Sequence, residues 1–333
     1  MSAEISRLRE DELPKFRQFC LENWGEPHPL IHNEQMFDYY YRRGDKINFI
    51  VARDENGDII SAGGYICASS SEQPDVFNSF LLSKRKSELA VSLRVLMAIK
   101  ELSGARMWCC NNIRPKVAPV YQFLGCKTRW MNHYYRFNRD VKERKLSVFT
   151  GGDIPEPCIA DGVEYIEAGS PEAISAFPFE QFAGQKPYKD AGYVRWRYFD
   201  NPWLDYRVLQ FSESGQPFGL LMYRIIEWEG ACVLRVVDYI GDRSRLALTG
   251  EALDATMKET GAEFCDMYAF GIDPGIMRQA GFVLRGEESG DIVPNYLEPP
   301  LMENTDFMIQ TSDLDGFCMF RADGDQDRKR IIL

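Results

Sequence analysis

The apolar and polar positions of this chain write one pattern twice. Residues 48–67, NFIVARDENGDIISAGGYIC, alternate apolar and polar positions on either side of Asn56-Gly57, and this predicts a β-hairpin. Residues 206–224, YRVLQFSESGQPFGLLMYR, predict a second hairpin around Ser214-Gly215. Each hairpin is followed by a strand, a loop and a helix. The first helix is expected to start with Ser87 as its N-cap and to stop at Gly104. The second is expected to start near Thr249 and stop at Gly261. Each helix runs into a short strand and then into a similar phrase, VYQFLGCKTR at 120–129 and IMRQAGFVLR at 276–285.

The landmarks keep register. Gly57 and Gly215 stand 158 residues apart, Gly104 and Gly261 157, Gly125 and Gly281 156. A near-constant offset at three glycines argues for duplication of one α+β unit of about 150 residues. The expected organisation is a first domain at 1–147, a Gly- and Pro-rich linker at 148–162 and a second domain at 163–333. The length, 333 residues, independently favours two domains over one core.

Composition narrows the function. Hydrophobic residues make up 45% and charged residues 27%, as in ordinary soluble globular chains. A net charge of −11 argues against a nucleic-acid partner. Apolar runs fall short of the roughly 18 residues a membrane helix needs, so no membrane insertion is expected. The start, MSAEISRLREDELPKF, has acids and no apolar stretch of the kind a secretion signal carries. With nine cysteines and no CxxC pair, a reduced, cytoplasmic protein is expected. His28 and His32 have metal spacing, but Pro29 lies between them and no third ligand is near, so no metal is expected. The 6 Trp, 16 Tyr and 21 Phe suit either clefts that stack on sugars and bases or large aromatic cores.

The repeated order of hairpin, strand, loop, helix, strand, helix and Gly-containing phrase resembles the GNAT acyltransferase superfamily. The resemblance implies an α+β fold, here two tandem GNAT-like domains, each a mixed, mostly antiparallel sheet flanked by helices. It implies acetyl-CoA or another acyl-CoA as co-substrate, held in a split between two central strands, with its pyrophosphate at the loop and helix N-terminus after the fourth strand. In NNIRPKVAPVYQFLGC, Tyr121 matches the tyrosine that protonates the departing thiolate, and Asn112 the asparagine that contacts pantetheine or orders the turn. Met277 stands where the second copy would carry that tyrosine. YVRWRYFDNPWLDY resembles a phrase found before the hairpin in such proteins, which makes Trp196 and Arg197 candidate acceptor-binding residues. VPNYLEPP and FRADGDQDR resemble phrases of tandem GNAT-like proteins from bacterial surface-polysaccharide gene clusters.

The phosphate loops depart from the family. SKRKSELA has no glycine, and GDRSRLALTGEA has its glycines at the wrong spacing. Cβ atoms hinder backbone approach to a pyrophosphate. Lys84, Arg85, Lys86 and Ser87 in the first copy, and Arg243 and Arg245 in the second, are the candidate phosphate ligands, by charge. A solvated basic turn is the other reading, and on that reading one copy or both has lost the coenzyme.

Two sets of acids complete the candidate chemistry. Asp238 lies inside the apolar strand LRVVDYIG, where the resemblance places a general base for an amine. The competing reading pairs it with Arg235 or a backbone turn. Asp323, Asp325 and Asp327 follow the β-like run GFCMF, and alternation would set them on one face, with Arg321 and Arg328 as local counter-charges. They are read as ligands for a sugar amine or as an anchor onto the other domain. The leading expectation is an N-acyltransferase acting on an amino-sugar nucleotide or related small-molecule amine. The alternative is a non-catalytic carbohydrate-binding or assembly protein built on decayed acyltransferase domains.

Overall fold

The computed structural model describes residues 3–84, 89–286 and 289–328. The chain forms two large sheets. Strands β1 (Glu4–Arg7), β2 (Phe49–Arg53), β3 (Ile59–Cys67), β4 (Asp75–Ser83), β5 (Met107–Ile113) and β6 (Lys127–Trp130) belong to the first. Strands β8 (Val163–Glu167), β9 (Arg207–Glu213), β10 (Gln216–Trp228), β11 (Ala231–Gly241), β12 (Phe264–Phe270) and β13 (Val283–Leu284) belong to the second. Between them in sequence comes β7 (Asn132–Phe137), and after them β14 (Met308–Thr311) and β15 (Met319–Phe320).

The two sheets exchange a strand. The first runs β1-β2-β3-β4-β5-β14-β6 and the second β8-β9-β10-β11-β12-β7-β13. Strand β7, from the first half, sits between β12 and β13, while β14, from the second half, sits between β5 and β6. Strand order is therefore the same in both sheets, and each sheet is completed by the other half of the chain.

Local chemistry sets the elements as the pattern predicts. Gly57 and Gly215 turn the two hairpins at φ 74° and 75°, and Ser214 accepts φ 50° beside Gly215. Helix α1 (Leu13–Trp24) buries Phe16, Phe19 and Cys20 on one stripe, and α2 (Glu34–Tyr41) buries Met36, Phe37, Tyr40 and Tyr41. Helix α3 (Leu89–Ser103) ends before Gly104 in the left-handed region, and α5 (Gly250–Thr260) ends likewise at Gly261; α4 (Ala118–Phe123) and α6 (Pro274–Gln279) are short. The expected Ser87 cap lies outside the described residues.

Helix α3 packs on one face of the first sheet, through Val91, Val95 and Ile99 against Ile50, Val76 and Trp108. Helix α5 does the same for the second, through Leu253 and Met257 against Leu234 and Cys265. The opposite faces meet in one core that joins Phe16, Phe37, Phe49 and Phe77 to Val208, Leu220, Val237 and Tyr268. Each of these side chains adds roughly 1.5–3 kcal/mol on burial, so the halves are welded rather than hinged.

Candidate functional site: two splits and the segment between them

Both sheets open in the middle. In the first, β4 and β5 are parallel and pair only from Asp75–Met107 to Phe77–Cys109. In the second, β11 and β12 pair only from Leu234–Cys265 to Val236–Met267. Beyond those pairs each strand follows its outer neighbour. A bulge marks each opening, at Ser79 in β4 and at Val237 in β11, 158 residues apart like the hairpin glycines.

The second split is filled by the chain itself. Strand β15 enters it and pairs antiparallel with β12, Phe320 opposite Ala269 and Met319 opposite Phe270. On the other side the Ala322 N–H donates to the Val237 carbonyl at 3.0 Å, and the Cys318 N–H to the Lys186 carbonyl at 2.8 Å. Gly271 makes room for this, since a Cβ there would lie 2.3 Å from the Phe317 carbonyl oxygen.

Ionic bonds hold the filling segment. Asp238 is fully buried and accepts from Lys189 Nζ at 2.6 and 2.7 Å, from the Tyr239 N–H at 2.8 Å and from the Tyr198 hydroxyl. Its partner is therefore Lys189; Arg235, the neighbour suggested by sequence, forks onto Asp266 at 2.9 and 2.8 Å. Lys189 also pairs with Asp323 at 2.6 Å. Burial, with the nearby Asp238 charge adding to it against the pull of Lys189, pushes the Asp323 carboxyl up to about 6. Asp327 takes a two-pronged contact from Arg224, 3.0 Å on each side, and the Tyr206 hydroxyl at 3.0 Å. Burial would raise its carboxyl, but Arg224, Arg321, Arg235 and Arg197 hold it well below the usual range. Arg197, fully buried in the π-helical turn Arg195–Phe199, donates to the carbonyls of Ala322 and Gln326.

The three aspartates do not share a face. The β-run stops at Phe320, and Gly324 at φ 72° and Asp327 at φ 53° turn the chain, so alternation fails and each carboxylate meets a different partner. Asp325 pairs with Arg328 at 3.1 Å, while Arg321 bonds Asn295 instead of a carboxylate.

The first split is built differently. Asn78 is the first residue of β4 past the paired stretch; it is buried, and neither atom of its amide has a partner. On β5, buried Asn111 donates to the carbonyls of Phe320 and Arg321 at 3.0 and 3.3 Å, and its Oδ1 is unpartnered. Asn112 holds φ 57° and donates to Gln326 at 3.3 Å. Tyr121 lies on α4, buried against Trp108 with ring centroids 6.0 Å apart, and burial holds its phenol up in the protonated form.

The remaining candidates separate by unit. Arg243 donates to the Gly316 carbonyl at 2.7 Å; Arg245 pairs with Glu213 at 2.9 Å and lies over the Phe218 ring. In that loop the Ser244 N–H, which a phosphate would use, is capped by Asp242 at 3.0 Å. Gly250, at the start of α5, is packed so closely that a Cβ would sit 2.5 Å from the Ala280 carbonyl oxygen. Lys84 is exposed, while Arg85, Lys86 and Ser87 lie outside the described residues. Trp196 stacks on Tyr39, centroids 5.0 Å apart, and lines a cavity of about 220 Å³ with Tyr39, Tyr40, Arg43, Ser69 and Tyr193, between the two halves.

Sequence reasoning passed over Lys189, Arg224 and Asn78. For Arg224 and Asn78 the signal was there: each is a polar residue inside an apolar strand, the same mark that picked out Asp238. Lys189, in QKPYKD, reads like a surface loop.

No family model matches the chain, and no curated protein does. Solved structures do. A GCN5-related N-acetyltransferase from Anabaena variabilis matches over 92% of this chain and 72% of its own, at 8% identity and a TM-score of 0.56. A conserved Enterococcus faecalis protein of unknown function, described as a probable N-acyltransferase, matches over 95% and 74%, at 9% and 0.54. A GCN5-related N-acetyltransferase from Kribbella flavida matches over 92% and 71%, at 12% and 0.51. The chain has the tandem GNAT fold. Residues 317–322 occupy one of its two splits. Among the described residues no helix is long and apolar enough to cross a membrane.

Proposed function

We propose that this chain is an acyl-CoA-dependent N-acyltransferase, most simply an N-acetyltransferase, whose first split takes the acyl-CoA while its second serves structure. One contrast carries the reading. The buried Asn78 amide and the Asn111 Oδ1 at the first split have no partner, whereas the second split is occupied by residues 317–322, held by backbone bonds and ion pairs. Unpaired buried amides are costly, and the two amide groups of a pantetheine arm would satisfy them. Tyr121, kept protonated by burial, is the acid for the leaving thiolate, and Asn112 contacts the arm. Lys84, with Arg85, Lys86 and Ser87, serves the pyrophosphate. Asp238, with its oxygens taken by Lys189 and Tyr198, anchors the segment in place of acting as base.

The acceptor in this reading is an amino-sugar nucleotide or related amine for surface-polysaccharide synthesis in the cytoplasm. The aromatic cavity at Trp196 supports it, having room for a sugar ring against stacking faces. The units divide at 148–162, each borrowing its seventh strand from the other.

Calorimetry with acetyl-CoA should give one site per chain. Two tight sites would refute the structural role of the second split. No heat at any concentration would favour the alternative, a carbohydrate-binding or assembly protein, which draws on the same filled split. Tyr121→Phe should lower the rate of thiol release by about 100-fold with acetyl-CoA affinity unchanged; an unaltered rate would remove Tyr121 from the acid role.

A further inference from the structure

The strand exchange dictates where the segment after β14 must go. Strand β14 ends beside β5, at the first split. The chain then crosses to the second split as β15 and returns. Gly324 lies against Phe77, the last paired residue of β4, so closely that a Cβ would meet the Phe77 Cβ at 3.2 Å. Gln326 accepts from Asn112 of β5. Asp325, between them, is thus delivered to the opening of the first sheet, by the half of the chain whose own slot is closed. We infer that Asp325 is a catalytic residue of the first split, receiving the proton of the acceptor amine, so that the active site is assembled from both halves.

This rests on the acyltransfer reading above and adds its missing base. Of the three aspartates, Asp323 is committed to Lys189 and the Phe320 N–H, and Asp327 to Arg224 and Tyr206. Asp325 has Arg328, whose side chain is one-third exposed, and a 3.3 Å contact from Gln326. Its other charged and titratable surroundings are Tyr40 and Tyr41 of α2 and Cys110 of β5, with Arg197 reaching the Gln326 carbonyl and His28 near Arg328. Burial pushes the Cys110 thiol up and the Asp325 charge adds to it, while Tyr121 senses Cys110 as well. Tyr41 takes a hydrogen bond from Ser79, the bulged residue, and Tyr40 lines the aromatic cavity. An unpartnered Asn111 Oδ1, 95% buried, lies in the same opening.

The amine lone pair attacks the thioester carbonyl carbon and the C–N bond forms. The extra N–H proton passes to the Asp325 carboxylate. The C–S bond breaks with its electron pair on sulfur, and Tyr121 supplies the proton, giving amide and free thiol. Solvent returns both side chains to their starting states.

The test uses the full chain with acetyl-CoA, following thiol release with D-glucosamine as probe amine and with water alone. Asp325→Asn should lower kcat by about 100-fold, abolish the acidic limb of the pH profile and leave acetyl-CoA affinity unchanged. Arg328→Gln keeps the carboxylate but removes its ion partner, and should keep kcat within about fivefold. If both variants lose activity alike, Asp325 is an anchor and the inference fails. If the wild type is active and Asp325→Asn keeps its rate and pH profile, the inference fails alone. If the wild type turns over with neither probe, acyl transfer and this inference fall together.

Discussion

Ending the chain after Gly316 is expected to leave no folded protein. The lost segment includes Phe317, Met319 and Phe320, all buried, worth roughly 1.5–3 kcal/mol each. It also strips Arg224 of Asp327, and an abandoned buried charge costs about 3–5 kcal/mol. The sum reaches about 10 kcal/mol, against a total stability of roughly 5–15 for a protein of this kind. The reason lies in the second sheet. Strands β11 and β12 part after three pairs, and without residues 317–322 the wedge would expose unpaired backbone and an apolar lining. Circular dichroism and a thermal melt of the shortened chain decide the matter. A cooperative melt within a few degrees of the full chain would show that the segment is an accessory, and the account of the second split would be wrong.

What could be read in advance was local. The hairpin turns and helix ends followed from glycines that the structure holds at positive φ, namely Gly57, Gly104, Gly215 and Gly261. Their constant spacing gave the repeated unit, and the bulges at Ser79 and Val237 keep the same interval. Pairing between distant strands was not legible. Strand β7 is buried along nearly its whole length, and nothing in NHYYRF says that its partners are β12 and β13. The same limit explains Asp238. A carboxylate in an apolar strand announces that something unusual is nearby, but its partner Lys189 lies 49 residues away in a loop. Nor could alternation survive Gly324, since one left-handed residue redirects every side chain after it. The aspartates then became three separate contacts, and only Asp325 lies at the first split.

The strand exchange also changes what the duplication means for function. A duplicated slot that evolves independently can simply decay. Here the slot of the second half is closed by a segment whose next residues reach the first. Filling one split thus orders a side chain at the other. Phe320 illustrates the coupling: its N–H is held by Asp323 in the second split, while its carbonyl takes the Asn111 amide of the first. The two sites share backbone, so substitutions in the ionic core should be felt in both.

Lys189→Met tests that core most severely. The ammonium lies between Asp238 and Asp323, 2.6 Å from each and almost fully buried. Methionine fits the space but leaves two carboxylates facing each other in an apolar interior, at a cost of about 3–5 kcal/mol near neutral pH. The cost should depend on pH in a definite direction. Asp323 already has its carboxyl raised to about 6 in the folded protein, above an unfolded value of about 3.9. A raised folded value means that the native state holds the proton more tightly. The stability this group contributes is therefore fully present below about pH 4 and is lost as pH rises through about 6. Removing Lys189 takes away the charge that keeps the ionised form tolerable, so the deficit of the variant should grow from pH 5 to pH 8. Urea unfolding at both values measures it, and Asp238→Asn added to Lys189→Met should return part of the loss at pH 8. A deficit that is the same at both values, or below about 1 kcal/mol at pH 8, would mean that the pair of carboxylates is not what Lys189 holds apart.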